Sequence, residues 1–70
     1  MNTFPSRLRR TRESAGLSIR ALAAAADLAP GSVVHYEDGK TDPDRGVVEK
    51  IAGALGVNAG WLAYGTGSRT

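Results

Sequence analysis

The spacing of helix-breaking residues limits this chain to short helices. Gly16, Asp27 and Gly56, together with the segment Gly39–Asp44, divide its 70 residues into five pieces. Gly, and to a lesser degree Asp, tolerates the left-handed backbone conformation that ends many helices. Within the pieces, apolar residues recur three and four positions apart, which is the period of an amphipathic helix. The sequence therefore predicts an all-α fold made of five short helices.

Length and composition exclude several classes of protein. Seventy residues are expected to form one domain over residues 1–70, with a core over about residues 4–64 and a frayed tail over 65–70. With no cysteine and one histidine, neither a disulfide framework nor a structural metal site is expected. No apolar run approaches the roughly 20 residues that cross a bilayer, and the polar, basic start does not resemble a signal peptide. We expect no membrane association and no cofactor.

Capping residues predict where the helices begin. Pro5 suits a first helical position, and Ser18, Asp44 and Asn58 suit N-caps. Pro30 opens a third helix after Ala29, which is a poor cap. Inward stripes are expected to include Phe4, Leu8, Arg12 and Ala15 in the first helix, Ile19, Leu22, Ala23 and Ala26 in the second, Val33, Tyr36 and Glu37 in the third, and Val47, Val48, Ile51, Ala52 and Leu55 in the fourth. The predicted helices cover about residues 5–15, 19–26, 30–38 and 45–55, with a short last turn after residue 58.

Basic residues are concentrated near the start of the chain. The net charge is only +2, but four of the nine basic residues lie within six positions: Arg7, Arg9, Arg10 and Arg12. Such a cluster suits phosphate binding. It is equally consistent with a solvated helix face.

The second and third predicted helices are joined by only three residues, 27–29, which is helix-turn-helix geometry at residues 18–38. The identities of several residues also match the pattern of one known family. The most specific part of the match is the spacing Leu-Ser…Leu-Ala…Tyr-Glu-x-Gly-Lys between residues 17 and 40. Over residues 4–67 the chain resembles the Cro/phage-repressor (Xre) type of helix-turn-helix domain. The other matching residues are Gly16, Val33, the run Ala54-Leu55-Gly56-Val57, and Trp61-Leu62 with the Gly-Thr-Gly that follows.

This resemblance implies a compact five-helix, lambda-repressor-like bundle that binds double-stranded DNA. Its second helix would lie over the DNA backbone, and helix 30–38 would enter the major groove. Members usually bind operators with dyad symmetry as homodimers and regulate transcription. We therefore expect a repressor or autoregulator of phage or bacterial type, cytoplasmic and nucleoid-associated, with no small-molecule ligand. The dimer contact is expected around residues 57–64.

The resemblance also implies an ion pair between Arg12 and Glu37. Physical chemistry favours it independently, because both lie on otherwise inward stripes and a charge is costly to bury unless it is paired. The alternative is that one or both side chains reach solvent.

The expected base-reading positions depart from the family pattern. Polar readers usually open the third helix, but here Pro30 and Gly31 do, and neither can hydrogen-bond a base edge through its side chain. Ser32, Val34 and His35 complete the predicted set. His35 is the best candidate, since it can donate or accept at purine edges; the alternative is a surface histidine with no base partner.

Four positions are predicted to contact phosphate: Ser18, Ile19, Arg20 and Lys40. Ile19 replaces a common Gln, so only its backbone N–H can contribute. Asp42 and Asp44 would repel a phosphate if they faced it. These departures favour one alternative function, a protein-interaction module that keeps the scaffold with little DNA affinity. Catalysis is not expected, because Ser32, His35 and Asp38 are better explained as a polar helix face than as a triad.

Overall fold

The computed structural model describes residues 2–70, so the proposed domain start at Met1 lies outside it. Five helices follow one another, and the described residues contain no strand: α1 (Phe4–Ser14), α2 (Ile19–Ala25), α3 (Pro30–Glu37), α4 (Arg45–Leu55) and α5 (Ala59–Tyr64). The all-α prediction is confirmed. None of these helices is long and apolar enough to cross a membrane.

The predicted caps begin three of the helices. Ser18, Asp44 and Asn58 each accept a hydrogen bond from the backbone N–H three residues later, at 3.0, 2.9 and 3.1 Å. Thr3 caps α1 in the same way at 3.4 Å, so α1 begins at Phe4 and ends one residue earlier than predicted. Ala15 is exposed, and its assignment to the inward stripe was wrong.

Asp27 makes the tight turn between α2 and α3. It has φ +58°, and no other non-glycine residue in the described chain has a positive φ. The Leu28 N–H then donates to the Ala23 carbonyl at 2.8 Å, and the Asp27 N–H to that of Ala24 at 3.3 Å. This pair of bonds is the Schellman arrangement that satisfies the last carbonyls of a helix. The chain therefore reverses within three residues, as the sequence predicts.

Each helix contributes one side chain to the centre of the core. Leu8, Leu22, Val33, Ile51 and Leu62 come from α1 to α5 in turn, and all five are fully buried. Around them α2 packs on α3 and α4, α1 packs on α3 and α5, and α4 packs on α5. Burying one such side chain contributes about 1.5–3 kcal/mol, so this small core depends on every helix.

The segment after α5, which the sequence predicts to be a frayed tail over residues 65–70, contacts α5 in the structure. It contains no helix, but the Asn58 N–H donates to the Arg69 carbonyl at 2.7 Å. The Arg69 guanidinium also lies over the Trp61 ring, 5.4 Å from its centroid, which is within the range of a cation–π interaction. The segment therefore folds back on α5, because the start of α5 and its tryptophan offer it partners.

Candidate nucleic-acid interface

The outward face of α3 is the first element of the candidate site. On its inward side Val33 is buried. Ala23 and Ala26 of α2 are also buried, and because these side chains are small, the two helices pack closely. Pro30, Gly31 and His35 are exposed, and Val34 keeps 38% of its surface accessible. Four of the five predicted base readers thus share the solvent-facing side of one helix. Ser32 is half-buried at the edge of this face, and its N–H donates to the Ala29 carbonyl at 3.0 Å.

The start of α3 leaves room for another molecule. Ala29 provides no side-chain cap, and Pro30 has no N–H. A Cβ built on Gly31 would meet nothing within 4 Å. Because the first N–H groups of a helix lack partners inside the helix, this end favours hydrogen-bond acceptors that can approach the backbone closely.

The predicted phosphate contacts flank this face at two points. Ser18 and Arg20 are exposed at the start of α2, whereas Ile19 is half-buried and packs against the core, so only its backbone is placed for such a contact. Ser18 Oγ accepts from the Ala21 N–H at 3.0 Å, which leaves its hydroxyl proton free to donate.

Lys40 lies at the other end of α3. Its N–H donates to the His35 carbonyl at 3.0 Å across the left-handed Gly39, so the chain turns back against the end of the helix. The ion pairs between described residues involve neither Arg20 nor Lys40. Of the two acidic residues in the following loop, Asp44 is occupied as the cap of α4 and Asp42 is exposed. Two cations without an ion-pair partner therefore flank the exposed face formed by Pro30, Gly31, Val34 and His35, and the nearest exposed carboxylate along α3 is that of Asp38 at its C-cap.

Arg12 and Glu37 form a two-pronged ion pair behind the third helix. Arg12 Nε lies 2.6 Å from Glu37 Oε2, and Arg12 Nη2 lies 3.1 Å from Oε1. The two side chains are only 12% and 5% exposed. Arg12 Nη1 also donates to the Leu17 carbonyl at 2.9 Å. The hydrogen bonds to Glu37 raise the pKa of Arg12 above its ordinary value, with the Glu37 charge acting in the same direction and desolvation opposing both. The guanidinium is therefore charged at any working pH.

Arg7 has a structural role that the sequence did not indicate. It is only 7% exposed, yet its hydrogen-bond acceptors are all neutral oxygens. Its Nε donates to the Leu62 carbonyl at 2.9 Å and its Nη2 to that of Ala63 at 2.8 Å. Its Nη1 donates to both oxygens of Asn2, at 2.8 and 3.1 Å. Arg7 thus satisfies carbonyls at the end of α5, where the helix dipole favours a cation.

The basic cluster of the first helix is consequently not one surface. Arg7 and Arg12 are committed to the interior, while Arg9 and Arg10 are exposed. The interpretation as a solvated helix face was wrong for these two residues, because Arg7 is buried and Arg12 is half-buried. Of the two, only Arg12 is assigned to an inward stripe in the sequence analysis; Arg7, which lies three residues after Phe4 on the buried face of α1, is not. The described residues hold no cluster of His, Cys, Asp and Glu that could bind a metal ion.

Comparison with known proteins places this geometry in a family. A model of the helix-turn-helix domain family matches residues 5–62. Among solved structures, the chain is similar to the P22 c2 repressor protein, determined in complex with a synthetic operator in the presence of thallium. The TM-score is 0.87 at 18% sequence identity, over 94% of this chain and 100% of the repressor chain, so the two share a fold. Among curated protein sequences, none matches the chain significantly.

Proposed function

This chain belongs to the helix-turn-helix domain family, of the Cro and phage-repressor type, and on that premise we propose that it is a sequence-specific, double-stranded DNA-binding regulator of transcription. The observation that carries the proposal is the free outward face of α3, flanked by unpaired cations at Arg20 and Lys40. The structural similarity to a repressor determined with operator DNA supports it.

In this proposal α3 enters the major groove and reads bases with few side chains. His35 makes the main polar contact, because its ring can donate to or accept from a purine edge. Pro30 and Val34 supply apolar contacts suited to a thymine methyl, Gly31 admits close approach of the backbone, and Ser32 reaches from the edge of the face. With so few readers, part of the specificity comes from DNA shape at bases that are not contacted.

Phosphate contacts supply most of the affinity. Arg20 and Lys40 contribute charge, and Ser18 and the backbone N–H of Ile19 contribute donors at the start of α2. Such contacts fix the position of the protein on DNA without reading its sequence. Removing one cation is therefore expected to weaken binding to every DNA sequence alike.

The protein is proposed to act as a repressor or autoregulator that binds an operator with dyad symmetry as a homodimer. A single α3 of eight residues spans few base pairs, whereas two copies reach half-sites about 34–36 Å apart. The proposed contact surface is residues 57–64, where the Tyr64 side chain is 79% exposed at the end of α5. Footprinting tests this arrangement: two protected half-sites at saturation are expected, and one isolated half-site would count against a dimer.

The central test titrates the DNA upstream of the protein's own gene with three proteins: the wild type, His35→Ala and Lys40→Ala. Each titration is repeated at several salt concentrations. His35→Ala is expected to cost roughly 1–3 kcal/mol on the preferred site and much less on random DNA. Lys40→Ala is expected to weaken both and to lower the salt slope by about 1. Lys50→Ala, which removes an equally exposed charge from α4, is the matched control and should leave binding nearly unchanged.

Two outcomes would contradict the assignment. Equal affinity of His35→Ala and the wild type for the best site would remove His35 as the reader. Absence of binding to any DNA at low salt would instead favour the protein-interaction module, a function that the apolar and uncharged start of α3 would also suit.

A further inference from the structure

We infer that a cavity between α1, α5 and the C-terminal segment is a binding site for a small phosphate-type anion. The cavity has a volume of about 270 Å³. No residue of α2 or α3 lines it, so it lies outside the proposed DNA-reading face and goes beyond the proposed function. Its lining consists of three arginines, three residues with polar side chains and one tryptophan: Arg7, Arg10, Arg69, Asn2, Thr11, Ser14 and Trp61.

The charge of this cavity is unbalanced. Three of the nine basic residues of the chain line it and none of the seven acidic ones does, so its formal charge of +3 exceeds the net charge of the whole protein, +2. The ion pairs between described residues include none of these three arginines. Converging like charges that lack a counterion repel one another, and a bound anion would relieve that repulsion.

Arg7 gives the lining of the cavity a fixed donor. The guanidinium has five N–H groups, and its four hydrogen bonds to Asn2, Leu62 and Ala63 leave one Nη2 proton available. Because the side chain is buried and held at three of its nitrogens, little conformational entropy would be lost when an anion binds. Thr11 is also fixed, since its hydroxyl donates to the Arg7 carbonyl at 2.7 Å.

Arg10 and Arg69 add two further guanidinium groups to the lining. Arg69 is already positioned by the contact of its guanidinium with Trp61 and by the bond from Asn58 to its carbonyl. Ser14 adds an exposed hydroxyl at the rim. Planar guanidinium groups bind phosphate oxygens in pairs, which matches this set of donors better than it matches a cation or an apolar ligand. The volume lies just below the range of drug-sized ligand pockets, which favours one phosphate group over a larger molecule.

The test is a titration of the 70-residue chain with inorganic phosphate against sodium chloride of the same ionic strength. We expect a saturable rise in Tm with phosphate only, because a ligand that binds the folded state alone stabilises it. In NMR spectra the Arg7 Nε–H and the Trp61 indole N–H should shift along the same saturation curve. Arg10→Gln and Arg69→Gln should each weaken phosphate binding by roughly tenfold or more, the value of one charge-assisted hydrogen bond.

Arg45→Gln is the matched control, since Arg45 is an exposed arginine outside the cavity. It should leave phosphate binding unchanged. No saturable shift in the wild type, or equal binding by the wild type and both cavity variants, would overturn the inference. A parallel titration with a short non-operator duplex separates two sources of phosphate. If duplex DNA shifts the Arg7 Nε–H and inorganic phosphate does not, the cavity is a contact for the DNA backbone, and the small-anion site is refuted.

Discussion

Replacing Glu37 with Gln tests whether the buried ion pair holds α1 to α3. The change keeps the shape of the side chain and removes its charge. Gln retains one oxygen that can accept from Arg12, but its amide group would face a guanidinium that was 3.1 Å from Oε1. Removing one partner of a buried pair costs about 3–5 kcal/mol, because the other charge stays buried without compensation.

The structure places this substitution near the lower end of that range. The Arg12 side chain keeps 12% of its surface accessible and keeps its bond to the Leu17 carbonyl, so part of its charge remains solvated. A loss of about 3 kcal/mol is large for a chain of 70 residues, whose total stability is on the order of 3.5–10 kcal/mol. At about 4–8 °C per kcal/mol, Tm should fall by roughly 12–24 °C.

Urea unfolding followed by circular dichroism measures this change, and an unaltered m-value would show that the denatured state is the same. The matched control is Glu49→Gln, which breaks the exposed pair with Arg45 at 3.6 Å and should cost only about 0.3–0.5 kcal/mol. In the double variant Arg12→Met/Glu37→Met no buried charge is left unpaired, since Arg9, the other partner of Glu37, is exposed; this variant should be more stable than Glu37→Gln. Equal midpoints for the wild type and Glu37→Gln would refute the argument that the pair is buried and coupled.

Four glycine-related substitutions test the backbone argument by thermal unfolding, and for the last of them operator binding is measured as well. Asp27→Gly should raise stability by about 1 kcal/mol, because φ +58° strains a residue with a Cβ; a lower Tm would mean that the Asp side chain stabilises the turn. Gly65→Ala should destabilise the protein more than Gly56→Ala. Both glycines have positive φ, but only at Gly65 would the new Cβ lie 2.8 Å from Arg7 Nη1. Equal losses of stability in the two variants would contradict that clash. Gly31→Ala should stabilise α3 by about 1 kcal/mol and weaken operator binding, and undiminished binding would mean that DNA does not approach the backbone there.

Local signals predicted the helices well because their ends are set by residues close in sequence. Ser18, Asp44 and Asn58 cap the N–H groups three positions away, and Asp27 makes the turn with its own backbone. The cap at Thr3, which the sequence analysis missed, is of the same kind, since its hydroxyl lies one residue before the start of α1. The preference of Pro5 for a first helical position placed the predicted start of α1 one residue too late.

Contacts that join distant parts of the chain were predicted less well. Arg12 and Glu37 could be paired because the family resemblance implies the pair, and because each is a charged residue on an otherwise inward stripe. Arg7 could not, since its partners at Leu62 and Ala63 are backbone carbonyls, which every residue possesses and no sequence pattern marks. Most of the predicted DNA-contacting residues are exposed, but whether any of them touches a base or a phosphate stays a prediction.

The two interior arginines explain how such short helices hold together. A helix leaves its last carbonyls without partners inside the helix, and a chain of five short helices has many such ends for so small a core. Arg7 satisfies carbonyls at the end of α5 and Arg12 satisfies that of Leu17, in the turn between α1 and α2. Each long side chain therefore combines packing with satisfaction of buried backbone groups, which an apolar residue of the same size could not do. Because α1 supplies both, it connects α3 to α5, and the position of the proposed reading helix depends on two arginines held in the protein interior.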